Sequence, residues 1–236
     1  MNRFPLAVVE SVLLWSVVTI ALYAAARFFS QRWPRWWTAP ITLVPLILIA
    51  VTLASHTSYA SYIRGTHWLI TLLGPATVAF AVPIYRQREM IRRHRIVLSA
   101  GILVGSGTSM VSAWLLSSML GIRGTLRLSL LPRSISTPFA MPVSGAIGGS
   151  PDLTAVFVIL TGVFGAAFGA AILYRLPLRS TMARGAFFGM GAHGVGSNKS
   201  YEINRDEGTI AGLVMVLAGI ANVLAAPLLA KVLSKS

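Results

Sequence analysis

The chain has no cysteine and only six aspartate or glutamate residues, against twenty lysine or arginine residues. Without cysteine it forms neither disulfides nor thiolate-bound metal sites. So few acids leave little for a metal cluster, and no HExxH or P-loop motif is present. We therefore expect no cofactor, no bound metal and no enzymatic activity.

Charged residues of either sign are scarce, at 11% of the chain, compared with roughly 25% in soluble domains. Hydrophobic residues make up 55%, and the mean hydropathy is +0.73. This is the composition of an integral membrane protein, with the lipid bilayer as its surroundings. The net charge of +14 does not indicate nucleic acid, because the basic residues lie in short clusters between apolar blocks.

Apolar blocks predict an all-α, polytopic membrane protein with about seven transmembrane helices. The blocks cover residues 6–26, 40–54, 67–85, 96–122, 153–174, the short glycine-rich stretch 185–198, and 208–230. About 20 apolar residues cross a ~30 Å hydrocarbon core. The first block is too long for the apolar part of a secretory signal, so we take it as an anchor. The polar stretch 55–65 is predicted to be an external loop.

Basic residues predict the orientation in the membrane. Arg27, Arg32 and Arg35 follow the first block among tryptophans, and a stronger arginine cluster occupies 86–95. The positive-inside rule places both on the cytoplasmic side, which predicts an external N-terminus and an internal C-terminus in a bacterial inner membrane. The cluster at 86–95 is either a solvated connector or an anionic-lipid site.

Prolines interrupt the helical pattern in two regions. Pro75 and Pro83 predict a kink or break, because proline removes a backbone donor and clashes with the preceding turn. Residues 128–151 contain four prolines and are predicted to form a re-entrant or broken hairpin. A cost of this topology is that three arginines lie outside: Arg123, Arg127 and Arg133. The Ser-Pro-Asp sequence at 150–152 predicts the start of the next helix.

Residues 182–207 place a histidine, a lysine and several glycines between two hydrophobic blocks. Glycine inside a helix costs roughly 1 kcal/mol relative to alanine, so Gly189, Gly191, Gly194 and Gly196 predict an opened backbone. In lipid such backbone is tolerated only where protein or water surrounds it, which predicts a site here. The small residues at 105–109 indicate either close helix packing or a patch facing the substrate.

Two segments of the chain resemble each other, LLGPATVAFAVP at 72–83 and LLPRSISTPFAMP at 130–142. Three residues match at a constant offset: Phe80, Ala81 and Pro83 with Phe139, Ala140 and Pro142. Chance similarity is the alternative, but both copies are interrupted by proline, as in transporter repeats. We expect one domain over 1–236, with N-terminal spans at 1–66, repeat-like units at 67–127 and 128–180, and a broken helix and last span at 181–236.

Several sequence blocks in order resemble the LrgB/CidB family. They are GPATVAFAVPIY at 74–85, STPFAMPVSGAIGG at 136–149 followed by PDLTAVFVILTGVFGA, ARG at 183–185, and HGVGSNKSYEI from His193. The resemblance covers roughly 43–229. The chain departs from the family pattern at Ser197, Asn198, Ser200 and Tyr201, where threonine and small residues are more common in the family.

This resemblance implies a multi-pass membrane protein that works with a small partner of the LrgA/CidA type, as a homo-oligomer, or both. Bacterial members are described as holin-like or antiholin-like modulators of murein hydrolase activity and are linked to pyruvate uptake, and a plant relative is a plastid glycolate/glycerate translocator. We therefore expect a secondary transporter or facilitator of small monocarboxylates, namely pyruvate, lactate, glycolate or glycerate, working by alternating access. The alternative is a holin-like regulator of murein hydrolase export and cell lysis.

A carboxylate that crosses a membrane needs donors or a cation to meet its charge. Helix starts at breaks near Pro75, Pro138 and Gly194 would supply backbone N–H groups. The candidate hydroxyls are those of Thr77, Ser136, Thr137 and Ser144, the candidate cations are His193 and Lys199, and Ser197 and Asn198 lie in the same block.

Each of these candidates also has a structural interpretation. His193 is alternatively a hydrogen-bonded packing residue, Lys199 an interfacial lysine, and Asn198 or Asn222 a source of interhelical hydrogen bonds. Glu202 is expected to pair with Lys199 or Arg205. Since only Glu10 and Glu202 are candidate acids at membrane depth, coupling is expected to use the substrate's own proton or a cation.

Overall fold

A computed structural model describes residues 6–33 and 35–233. Apart from a short 3-10 turn at Trp36–Thr38, the regular structure within these residues consists of α-helices, which confirms the all-α prediction. The helices are α1 (Leu6–Arg32), α2 (Pro40–Ala54), α3 (Tyr59–Thr71), α4 (Leu73–Ala79), α5 (Ala81–Arg86), α6 (Arg88–Arg93), α7 (Arg95–Met119), α8 (Gly124–Leu130), α9 (Thr137–Ala146), α10 (Pro151–Arg175), α11 (Thr181–Gly191), α12 (His193–Ile203) and α13 (Arg205–Leu233).

Five helical stretches in the described residues are long and apolar enough to cross a membrane. They are Val12–Arg32, Tyr59–Arg86, Arg95–Met119, Pro151–Arg175 and Arg205–Leu233. The protein is therefore a multi-pass membrane protein. The two other predicted crossings are shorter, because α2 has 15 residues and the block 185–198 is divided between α11 and α12.

Contacts divide the chain into two compact units, Met1–Pro75 and Ala76–Ser236. In the first unit α1 packs against α2 and α3. The Ser16 hydroxyl joins α1 to α3, since it donates to the Gly65 carbonyl at 3.1 Å and accepts from Trp68 Nε1 at 2.7 Å. The predicted subdivision into repeat-like units stays a prediction.

The expected external loop at 55–65 is wrong, because α3 begins at Tyr59 inside it. Ser58 caps this helix by accepting a hydrogen bond from the Ser61 N–H. Thr66 satisfies its hydroxyl within the helix, at 2.9 Å from the Tyr62 carbonyl. Polar residues are compatible with this helix because their side chains bond locally and Gly65 and Thr66 are buried.

Helix breaks occur where the prolines predict them. Helix α3 ends at Thr71, four residues before Pro75, and α4 ends at Ala79, four residues before Pro83. In each case the proline has no N–H to donate to the carbonyl four residues earlier. The expected breaks in this stretch are confirmed.

In the second unit, α13 is the central helix, with α7, α9, α11 and α12 packed against it. The Phe139 ring lies where a side chain on Gly219 would be, and it stacks on Phe80 with ring centroids 5.6 Å apart. Phe80 and Phe139 are the matched aromatic residues of the two similar segments. Their contact supports the repeat hypothesis, which stays a prediction.

The small residues at 105–109 contribute to packing between helices. A Cβ atom on Gly105 would lie 2.9 Å from the Met190 side chain. Asn222 on α13 donates to Ser106 Oγ at 2.9 Å, the interhelical bond expected for an amide at this depth. These contacts favour the packing interpretation of this stretch.

Candidate functional site

The backbone opens between α11 and α12 at Ala192 and His193. His193 has φ of +39°, a left-handed conformation that costs a non-glycine residue about 1–2 kcal/mol. The residue is 4% exposed, and its ring Nε2 donates to the Val158 carbonyl on α10 at 2.9 Å. The bend is therefore held against α10 by the histidine ring.

The backbone is helical at the four glycines around this bend, contrary to the expected opened backbone. Gly189 and Gly191 lie in α11, and Gly194 and Gly196 lie in α12. Gly189 packs on the Ala211 backbone and Gly196 on the Phe188 carbonyl, so neither position has room for a side chain. At these two positions close packing, rather than backbone freedom, accounts for the glycine.

A stripe of three glycines on α10 forms the surface on which the bend rests. A Cβ atom on Gly162 would lie 2.6 Å from His193 Cε1. One on Gly165 would lie 2.7 Å from Ala192 Cβ, and one on Gly169 would lie 2.9 Å from Phe188 Cε1. The spacing of three and four residues puts all three on one helix face. Sequence reasoning missed this stripe, although the spacing was visible.

The start of α12 lies close to the start of α9. A Cβ atom on Gly194 would be 4.0 Å from Ser136 Oγ and 3.8 Å from the Met215 sulfur. Ser136 takes the N-cap position of α9 and Ala192 that of α12, and neither makes a side-chain capping bond. Two helix starts that lack side-chain caps therefore bring their positive dipole ends and remaining backbone donors close together in a partly buried region, although Pro138 leaves the first turn of α9 with one N–H group fewer.

The remaining predicted residues divide into those near this region and those away from it. Thr137 and Pro138 form the partly buried first turn of α9. Ser197 is buried and donates to the His193 carbonyl at 2.8 Å. Thr77 lies partly buried on α4.

Asn198 and Lys199 point away from the buried histidine. Asn198 is exposed, and Lys199 Nζ pairs with Glu202 at 2.7 Å. The expected Lys199 and Glu202 pair is thus confirmed. The structure brings together Ser136, His193 and Gly194, while Asn198 and Lys199 lie on the outer side of α12.

Ser144 belongs to a buried hydroxyl cluster that joins α8, α9 and α10. The Thr154 hydroxyl is 2.6 Å from Ser144 Oγ and 2.9 Å from the Ser129 carbonyl, and Ser129 Oγ accepts from the Ser150 N–H at 2.7 Å. Ser150 takes the predicted N-cap position of α10, although its own side chain makes no capping bond. The cluster stabilises the hairpin that contains α9.

Replacing Thr154 with valine removes this hydroxyl while keeping the shape of the side chain. We expect the purified protein to lose about 1–2 kcal/mol, because Ser144 loses its partner. Thermal unfolding in detergent measures the change. The control is Thr52→Val, since that hydroxyl bonds only within α2 and should cost less. Equal losses in both variants would contradict the role of the cluster.

Two charged groups that sequence reasoning did not assign to a site are partly or fully buried in the second unit. Arg133, placed outside in the sequence analysis, reaches α10 with Nη1 3.5 Å from Thr161 Oγ1. Glu207 is 6% exposed, with Oε1 2.6 Å from Arg184 Nε, while its Oε2 has no hydrogen-bond partner.

Glu202 is exposed, and the side chain of Glu10 lies outside the described residues. Within those residues, no group of three histidine or acidic side chains could hold a metal.

Buried helix starts, a broken helix and long apolar spans define a polytopic α-helical membrane protein. A family model described as the LrgB-like family matches residues 19–232, and the chain belongs to that family. It is 38% identical to the uncharacterized protein YwbG of Bacillus subtilis over 90% of this chain and 94% of that protein. It is 29% identical to the holin-like protein CidB of Staphylococcus aureus over 92% of this chain and 95% of that protein. No solved structure matches.

Proposed function

We propose that this protein is a secondary transporter or facilitator of small monocarboxylates, such as pyruvate, lactate, glycolate or glycerate, across the bacterial inner membrane. The observation that carries the proposal is the meeting of two helix starts without side-chain caps, at Ser136 and Gly194, in a partly buried region of a membrane protein. Such starts offer donors for an anion.

The chemistry of these residues suits a small carboxylate with a second oxygen function. Backbone N–H groups and the positive ends of α9 and α12 would meet the negative charge. The Ser136 hydroxyl makes no capping bond and would bind a hydroxyl or keto oxygen. His193 acts by positioning, because its ring donates to the Val158 carbonyl and holds the bend in place.

We further propose seven crossings, with α11 and α12 forming one broken crossing and residues 128–151 forming a re-entrant hairpin. The N-terminus is outside and the C-terminus inside. Buried irregular backbone at 131–136 supports the hairpin, since unwound chain at membrane depth must be surrounded by protein or water. A homo-oligomer, a small membrane partner, or both complete the assembly.

Uptake of labelled pyruvate and glycolate into proteoliposomes tests the proposal. Wild-type protein is expected to give saturable uptake, and Gly194→Val to reduce it about tenfold, because its added methyl groups fill the space beside Ser136. Gly107→Val is the matched control, since a side chain there meets no described atom within 4 Å. Absence of saturable flux in the wild type for any monocarboxylate would reject transport.

The second candidate function is a holin-like regulator of murein hydrolase export and cell lysis. It is supported by the relative named as a holin-like protein. A regulator of this kind needs an oligomerising apolar surface and no anion site. Lysis phenotypes in cells together with no flux in proteoliposomes would favour it over transport.

A further inference from the structure

The connection between α8 and α9 is irregular backbone that is almost wholly buried. Five of the six residues at 131–136 are buried, and Arg133 is the exception, being partly exposed. Its guanidinium crosses to α10, where Nη1 lies 3.5 Å from Thr161 Oγ1. This hydrogen bond is long, so Thr161 engages the guanidinium only weakly.

The guanidinium lies near the middle of a membrane-spanning helix. Thr161 is two residues from the centre of α10, which spans Pro151–Arg175, or about 3 Å along the helix axis. Arginine at this depth is costly and is normally paired or placed in a water-filled cavity. Arg133 thus differs from Arg123, which is exposed, and from Arg127, which stacks on the Trp114 ring at 3.8 Å.

Arg133 forms no ion pair with any described residue. The described acids that form ion pairs are Glu202 and Glu207, and their partners are Lys199 and Arg184. Asp152, at the start of α10, is exposed. A partly buried guanidinium without a protein carboxylate keeps N–H donors for an anion that comes from outside the chain.

Contacts lead from Arg133 to the region where the two helix starts meet. Thr161 precedes Gly162 in the chain, and the His193 ring packs on Gly162. His193 in turn precedes Gly194, which lies beside Ser136 Oγ. Ser136 in turn lies three residues after Arg133. These two contacts and the short separations along the chain are the grounds for assigning Arg133 and Thr161 to the same site as Ser136 and the start of α12.

We propose that Arg133 is the residue that binds the carboxylate of the transported substrate, with Thr161 and Ser136 binding its neighbouring hydroxyl or keto oxygen. This inference rests on the proposed function and names the cation of the same site. The guanidinium binds the carboxylate through two N–H donors, which favours small 2-hydroxy and 2-oxo monocarboxylates over neutral analogues of the same size.

The experiment measures both uptake and ligand-induced stabilisation, with pyruvate, glycolate and neutral glycolamide as probes. In wild-type protein, both acids should raise the unfolding temperature in detergent and glycolamide should not. Arg133→Gln should abolish this shift and raise KM for uptake about tenfold or more. Arg133→Lys should recover part of the affinity, since it keeps the charge and loses the paired donors. Arg123→Gln is the matched control and should behave as wild type.

The outcomes separate this inference from transport itself. Saturable wild-type uptake with an unchanged KM in Arg133→Gln overturns the role of Arg133 and leaves transport standing. A carboxylate-dependent shift that needs Arg133, without flux, supports the binding role and rejects transport. If Arg133→Gln does not fold, the same measurements are made on Thr161→Val. Weaker binding of the acids by this variant supports the site, and unchanged binding overturns it. An equal shift with glycolamide also overturns the proposal.

Discussion

The change Gly189→Ala is expected to destabilise the protein by about 3 kcal/mol, because the added methyl group overlaps the backbone of the facing helix. A Cβ atom at Gly189 would lie 2.9 Å from Ala211 Cα and 3.0 Å from its carbonyl carbon. These are main-chain atoms of α13, the central helix, so no side-chain rotation relieves the clash. Helices α11 and α13 would have to separate.

Gly191→Ala provides a control on the same helix with the same substitution. A side chain at Gly191 meets no described atom within 4 Å, so the expected change is within about 0.5 kcal/mol. Thermal unfolding in detergent and the folded fraction on size exclusion measure both variants. Similar unfolding temperatures for the two would show that α11 does not pack on α13 as described.

The second large effect is expected from breaking the buried ion pair between α11 and α13. Arg184→Met leaves the Glu207 carboxylate, whose side chain is 8% exposed, without a cation, at a cost of about 3 kcal/mol. The side chain of Arg184 is 25% exposed, so the lower end of the range for buried pairs applies. Asn204 Oδ1 accepts from the Asp206 and Glu207 N–H groups at 2.8 and 3.2 Å, which fixes the backbone of the turn that carries this carboxylate.

The double variant Arg184→Met with Glu207→Gln should recover most of the lost stability, because it removes the unpaired charge. Lys199→Met is the matched control, since the pair it breaks has side chains 39% and 65% exposed and should contribute less than about 1 kcal/mol. The free energies of unfolding of the wild type, the single variants Arg184→Met and Glu207→Gln, and the double variant are measured in detergent, and they give the interaction energy of the pair. A double variant as unstable as Arg184→Met would assign the loss to packing instead.

Local signals in the sequence predicted much of the helical structure. The Ser-Pro-Asp start of α10 and the breaks before Pro75 and Pro83 are where they were expected, because a first-turn proline, a first-turn acid and a missing donor all act within one helical turn. The part of the helix over 59–71 that precedes residue 67 was missed. Its serines suggested a loop, but Ser58 caps the helix and Ser16, from another helix, binds the Gly65 carbonyl.

The candidate site was predicted only in part. The sequence indicated breaks near Gly194 and near Pro138, and the structure brings Gly194 close to Ser136, at the start of α9. Arg133 was placed on the outer side, at the predicted hairpin. Its contact with Thr161 was not foreseen, because the two residues are 28 positions apart in the chain. No local pattern carries information about such a distant neighbour. For the same reason, the buried position of Glu207 was not foreseen.

Composition and local pattern by themselves determined that this chain is an all-helical membrane protein interrupted at prolines, and its sequence blocks indicated the LrgB/CidB family. Only the tertiary structure decided that Gly189 packs on a backbone, that the bend is held by the His193 ring, and that Arg133 reaches the middle of α10. Helix formation and termination depend on neighbours within a turn, whereas burial and partner choice depend on which helices meet.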